Sequence, residues 1–177
     1  MGLGKTVICL ALVHANPPPK HNQILPREYI ETITHSSYTK PPSVVGCTTY
    51  NTSETFLSNS SLVIAPMFLC SQWESEIKKM APWMSVLTLK SSEKVDVRKI
   101  ATSDIIVIST FALQNTTELF KQIRSIHYHR IFVDESHHNQ SEKIINKCLT
   151  SISSTYRYCV TGTPIGRSLD DLQEQVR

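Results

Sequence analysis

Two short stretches carry side chains whose types and spacing suit phosphate chemistry. The first, Gly2-Leu3-Gly4-Lys5-Thr6, supplies the second half of a G-x-x-x-x-G-K-[ST] loop. Glycines let backbone N–H groups curl around phosphate oxygens, and the N-terminus of the following helix adds partial positive charge. In that arrangement Lys5 reaches the β- and γ-phosphates of a nucleotide, and the Thr6 hydroxyl ligates Mg²⁺. The loop's first glycine position falls before Met1, so the pattern taken alone is incomplete. The second stretch is Ile131-Phe132-Val133-Asp134-Glu135. An apolar strand ending in two carboxylates delivers them to its carboxyl end, where α/β sheets bind ligands. Asp134 is then suited to hold Mg²⁺, and Glu135 to orient and deprotonate a water. An Asp-Glu pair that merely caps the next helix is the plainer reading of the same residues.

A weaker pattern lies at Val160-Thr161-Gly162-Thr163-Pro164. Threonines on either side of a glycine at a strand end can hydrogen-bond to a carboxylate pair or a phosphate; a simple turn explains them as well. His127, His129, His137 and His138 cluster in sequence, but the two pairs flank a strand and fall at its opposite ends, which argues against a shared tetrahedral Zn²⁺ site.

Positioning these groups requires a sheet, and the chain after Ser61 has the pattern for one. Leu62 to Ala65, Val86 to Leu89, Asp104 to Ser109, Arg130 to Asp134 and Tyr156 to Val160 read as short buried strands. Leu69, Trp73, Ile77 and Met80 recur at helical spacing, which predicts a helix over 68–79 with Trp73 on its core-facing side. Further helices are expected at about 93–100, 111–125 and 140–149, with another from Leu169. Apolar strands alternating with helices predict an α/β fold, a mostly parallel sheet covered on both faces. Between 16 and 61 the periodicity disappears: Pro17, Pro18, Pro19, Pro26, Pro41 and Pro42 punctuate a Ser/Thr/Asn-rich stretch that reads as a low-complexity surface insertion.

Composition narrows the class. With 40% hydrophobic and 19% charged residues, the 177-residue chain has the make-up of one globular domain. A net charge of +3 is compatible with a polyanionic partner without arguing for one. No apolar run approaches the roughly 18 residues of a membrane span. The five cysteines form no C-x-x-C pair, so a disulfide scaffold or an all-cysteine zinc site is a poor reading and reduced intracellular thiols a better one. The start of the chain also fits a myristoylation pattern and a short signal peptide, and Asn51, Asn59 and Asn115 begin N-x-[ST] sequons. A glycine loop followed by an apolar helix imitates both targeting signals, and the nucleotide reading is preferred.

In order and spacing the motifs resemble one family, the Swi/Snf-type ATPases, helicase-related DNA translocases of superfamily two. MGLGKT is similar to their motif I. LVIAPMFLCSQWESEI (62–77) is similar to motif Ia, and IVISTFAL (106–113) to motif Ib. DESHH (134–138) resembles a DEAH-like motif II, and TGTPIGRSLDDL (161–172) resembles motif III. The likeness covers 1–15 and 62–177. It implies a RecA-like N-terminal lobe that binds ATP and Mg²⁺ through Gly2, Leu3, Gly4, Lys5 and Thr6, with Asp134 as a metal ligand and Glu135 as the base. It also implies a coupling role for His137, Thr161, Gly162 and Thr163. Pro66, Gln72 and Thr110 become candidate contacts to the backbone of double-stranded DNA, without sequence preference. A nuclear chromatin-remodelling or DNA-repair role follows from the family alone, with nucleosomes or other DNA-bound proteins as further partners and no membrane.

The chain departs from the family pattern in four ways. It opens inside motif I, so the expected sheet lacks the first strand that leads into the loop. It stops at Arg177, so the second lobe and its arginines are not in it. Motif III continues Ile165-Gly166-Arg167, where the family commonly has Gln-Asn after the Ile. The insertion is long for a simple member; inserts inside this lobe also occur in the postreplication-repair branch, which leaves that kinship open. A non-catalytic remnant that binds DNA or a partner weakly is the alternative for the isolated chain.

Overall fold

The computed structural model describes residues 4–18, 48–50, 53–90, 95–115, 117–136 and 148–163. Its centre is an all-parallel sheet. The strands β2 (Ser53–Ala65), β3 (Val86–Leu89), β4 (Ile105–Ser109), β5 (Ile126–Asp134) and β6 (Ser154–Val160) lie in the order β3-β4-β2-β5-β6. A short β1 (Thr48–Tyr50) pairs antiparallel with the start of β2. Among the described residues no strand precedes the first helix, and β6 is one edge of the sheet.

Side chains alternate along the strands and bury both faces. Leu62, Ile64, Ile106, Ile108, Ile131 and Val133 pack beneath α3 (Val97–Thr102), α4 (Thr110–Asn115) and α5 (Thr117–Arg124). Val63, Ala65, Ile105, Val107 and Phe132 pack on the other side with α1 (Lys5–Ala15) and α2 (Met67–Met80), through Cys9, Leu10, Leu69, Trp73 and Ile77. Burial on both faces is why these strands read as unbroken apolar runs. The same alternation sets Asp134 in step with Phe132, on the side that α1 and α2 cover.

The expected α/β class and most elements hold, with three differences. β2 begins at Ser53, inside the stretch read from sequence as an insertion to 61 and ahead of the strand start expected at Leu62. Ser58 and Ser60 are buried and bonded there: Ser60 Oγ donates to Ser103 O at 2.6 Å, and Ser58 Oγ lies 2.8 Å from Ala101 O. These hydroxyls serve carbonyls at the end of α3, so polar residues fill a strand that hydropathy alone passes over. β5 starts at Ile126 rather than Arg130, its first half carrying His127 and His129. The helix expected over 111–125 is divided into α4 and α5. The helix at 140–149 lies mostly outside the described residues, with helical geometry at 148–151, and the one from Leu169 lies entirely outside them.

Arg130 ties α1 to the sheet. Its guanidinium is buried in β5 and donates from Nη2 to the carbonyl of Asn16, the C-cap of α1. A cation there also opposes the negative end of the helix dipole.

Candidate functional site

The site forms where α1 begins and β5 ends. Gly4 precedes α1 with φ +69° and ψ +21°, a left-handed conformation that glycine adopts without strain, and nothing lies within 4 Å of where a Cβ would stand. No side chain caps the first turn of α1, so the N–H groups of a helix start face the site uncapped by Gly4. Lys5 follows, and its ammonium meets both members of the acidic pair. Nζ lies 2.5 Å from Glu135 Oε1 and 3.1 Å from Asp134 Oδ1. The chain separation of Lys5 and Glu135 is 130 residues, so the sheet, and no local turn, brings them together.

Two consecutive residues of a strand point to opposite faces, yet Asp134 and Glu135 touch the same ammonium. Glu135 resolves this with φ +48°, the only positive φ at a non-glycine among the described residues. The chain turns there, immediately after the strand, and swings the second carboxylate back beside the first. Such a conformation costs on the order of 1–3 kcal/mol and persists where the surroundings impose it.

Asp134 is almost wholly buried, at 3% side-chain exposure, and both its oxygens are engaged. Oδ2 accepts a hydrogen bond from Trp73 Nε1 at 2.8 Å, and Oδ1 accepts one from the Glu135 N–H at 3.0 Å beside Lys5. Burial pulls the Lys5 pKa down, but hydrogen bonds to Glu135 and Asp134, with their Coulomb attraction, outweigh it and leave the pKa raised. Thr6 is buried at the start of α1, and its side chain hydrogen-bonds to Glu76 of α2, which holds the Glu76 carboxyl below its usual range together with Gln72. Burial pushes the nearby thiols up, Cys9 to about 12 and Cys70 to about 11, with the Asp134 charge adding to both.

These groups suit magnesium and a nucleotide. A carboxylate and a hydroxyl are hard oxygen donors, and Mg²⁺ takes one or two carboxylates plus phosphate oxygens rather than a full protein cage. The carboxylates are already arranged around a positive charge, that of Lys5. No group of three or more His, Cys, Asp or Glu that could hold a metal occurs among the described residues. His127 lies in β5 with Nδ1 2.7 Å from Ser153 Oγ and Nε2 3.0 Å from Thr155 Oγ1, a structural pairing with hydroxyls.

The other sequence-predicted residues fall around the same end of the sheet. Ala65 pairs with Ser109, so Pro66 and Thr110, the next residues, leave neighbouring strands side by side. Gln72 is exposed on α2, with Nε2 2.7 Å from Glu76 Oε1. Val160 pairs with Asp134, which puts Thr161, Gly162 and Thr163 just past the acidic strand's end; the Thr163 N–H donates to Thr161 Oγ1 at 3.1 Å. Gly2, Leu3 and His137 lie outside the described residues. The sequence reading missed Trp73 and Glu76 as parts of the site. A buried tryptophan must place its one N–H, and that requirement was the available signal.

The profile of the SNF2-related domain matches residues 1–176. Among curated proteins, the chain is 30% identical over 191 residues to the DNA repair protein rad8 of Schizosaccharomyces pombe, covering all of this chain and 15% of that protein. It is 32% identical over 201 residues to the DNA repair protein RAD5 of Gibberella zeae, again over all of this chain and 17% of the relative. The chain thus spans under a fifth of the length of either relative. Among solved structures, the Sulfolobus solfataricus SWI2/SNF2 ATPase core in complex with dsDNA superposes with a TM-score of 0.54 at 28% identity, covering 65% of this chain and 24% of that one.

Proposed function

The chain belongs to the SNF2-related family, a family of ATPases, and from that premise we propose that it is the ATP-binding lobe of a DNA-dependent translocase. The observation that carries the reading is the Lys5 ammonium held against both Asp134 and Glu135. A phosphate-loop lysine and an acidic strand end share one site. Lys5 exchanges its carboxylate partners for β- and γ-phosphate oxygens when ATP enters, while the start of α1 and Gly4 face the phosphates with backbone N–H groups. Thr6 and Asp134 would hold Mg²⁺, and the ion would supply neutralisation of charge on the phosphates. Glu135, released by Lys5, orients a water and takes its proton.

Around this centre the remaining assignments follow the family. Pro66, Gln72 and Thr110 contact the backbone of double-stranded DNA, supported by their shared position at the sheet's carboxyl end and by the DNA named in the Sulfolobus complex. His137, Thr161, Gly162 and Thr163 couple hydrolysis to movement against a second RecA-like lobe, whose arginines complete the ATP site. The relatives' repair roles support a nuclear function in DNA repair, with nucleosomes or other DNA-bound proteins as obstacles or substrates.

Calorimetric titration with ATP and Mg²⁺ tests the centre. Saturable binding is expected, and Lys5→Ala should weaken it by roughly 10- to 150-fold, the loss of a hydrogen bond to a charged group worth about 1.5–3 kcal/mol. A folded Lys5→Ala protein with parental affinity would falsify the assignment.

A further inference from the structure

We propose that one turn of α2 sets the magnesium site: Trp73 and Glu76 are positioning residues that fix Asp134 and Thr6, the two side chains that receive the ion. This rests on the nucleotide reading above and extends it to residues on α2.

The geometry is reciprocal. Trp73 is 4% exposed, and its indole N–H has one donor to place. It gives that donor to Asp134 Oδ2 at 2.8 Å. Oδ2 is thereby tied on the α2 side, and Oδ1 is the oxygen left facing Lys5 and the start of α1. On the other ligand, the Thr6 side chain lies against Glu76 and, with Gln72, holds its carboxyl below the usual range. A hydroxyl that binds a cation through its oxygen must turn its proton away from that cation. A carboxylate can only accept, so Glu76 accepts from the Thr6 O–H and leaves a lone pair of Thr6 Oγ1 for the metal. Gln72 Nε2 bonds Glu76 Oε1 at 2.7 Å and steadies the carboxylate from the exposed side. Trp73 and Glu76 are three residues apart and share a helix face. One element thus orients ligands that come from α1 and β5, far apart in the chain.

Burial alone would make Trp73 a core residue whose N–H had simply found an acceptor. The two readings part when the N–H is removed and the apolar volume kept. Binding of ADP by the full chain is measured across Mg²⁺ concentrations and in EDTA, for the parent, Trp73→Phe and Glu76→Ala, beside ligand-free thermal unfolding. Outer-shell partners of metal ligands are worth about 10- to 100-fold in metal affinity, so the Mg²⁺ midpoint should rise at least about tenfold in each variant while affinity in EDTA stays within about twofold of the parent. Glu76→Gln retains an oxygen acceptor and should recover most of the loss. A merely structural role would instead lower both affinities together with the unfolding temperature. A folded Trp73→Phe protein with an unchanged Mg²⁺ midpoint overturns the inference. If that variant does not fold, Trp73 emission in the otherwise intact Trp83→Phe chain decides: it should change with Mg²⁺ and ADP together and not with ADP in EDTA, and indifference to Mg²⁺ overturns the inference. Loss of Mg²⁺-dependent binding in the parent itself overturns the nucleotide reading as well, whereas a dependence that the variants keep overturns this inference alone.

Discussion

Glu135→Gln should bind nucleotide more tightly than the parent while losing turnover. Lys5 cannot serve the phosphates and both carboxylates in full, so an incoming nucleotide competes with Glu135 at 2.5 Å and Asp134 at 3.1 Å. Unit charges 2.5 Å apart attract by about 1.7 kcal/mol in water and about 7 kcal/mol at an effective dielectric constant of 20. Net values are smaller, because both charges give up hydration: about 0.2–1 kcal/mol for exposed pairs, and about 3–5 kcal/mol lost when a buried pair is broken. Lys5 is 25% and Glu135 21% exposed at the side chain, which puts this pair between the two limits, at about 1–2 kcal/mol. A neutral glutamine removes that competition, and nucleotide affinity should rise by about 5- to 30-fold. Equilibrium titration with a non-hydrolysable ATP analogue reads it directly, and the gain should shrink in high salt as the ion pair is screened. Asp134→Asn is the internal control: it also relaxes the hold on Lys5 but loses a magnesium ligand, so its gain should appear only in EDTA. Equal or weaker binding by folded Glu135→Gln would refute the competition argument.

Three further outcomes are expected. Ser60→Ala leaves the Ser103 carbonyl without its 2.6 Å donor inside the sheet and should cost roughly 1–3 kcal/mol in denaturant unfolding; a neutral substitution would show that β2 does not depend on its serines. His127 and His129 have pKa values lowered from 6.5, first by burial and then by the charges of His129 and Arg130 respectively. The unfolded chain therefore takes up protons before the folded one, and stability, complete above pH 6.5, should fall on acidification through the lowered values. Melting temperatures between pH 7.5 and 5 check this, and replacing both histidines with glutamine should flatten the slope. Cys9 and Cys70 are buried, with thiols pushed to about 12 and about 11, so a thiol reagent at pH 8 should modify neither until the protein unfolds.

The parts of the fold legible in the sequence are those whose burial is apolar on both faces. Ile105 to Ile108 and Leu62 to Ala65 declare themselves as strands because every side chain enters one core or the other. The first halves of β2 and β5 do not, because their buried positions hold Ser58, Ser60, His127, His129 and Arg130. Four of them have the price of burial offset, for Arg130 in part, by a partner far along the chain: Ser58 and Ser60 by carbonyls at the end of α3, His127 by Ser153 and Thr155, and Arg130 Nη2 by the C-cap of α1. Local hydropathy carries no trace of such partners. At the site, Lys5, Asp134 and Glu135 were legible because each sits at the end of a regular element, where spacing alone fixes the position. Trp73 was legible only as a core residue; its second role resides in one N–H that periodicity does not weigh.

The site's economy of charge explains why these residues act as a unit. Two carboxylates side by side at the end of a buried strand, one of them 3% exposed, repel each other unless a cation lies between them. Lys5 supplies that cation, and the positive φ of Glu135 lets both carboxylates use it. On the proposed reading, nucleotide and magnesium would enter by exchange: Lys5 would turn to the phosphates and Asp134 to the metal, so the buried Asp134 would keep a countercharge throughout. Nucleotide affinity is consequently a difference between two well-paired states. Substitutions that loosen the empty state should tighten binding, and those that disturb Asp134 or Thr6 from α2 should act through the metal alone. Phosphate-loop and acidic-strand variants of this chain are therefore to be compared with and without Mg²⁺, since the two conditions report opposite halves of the exchange.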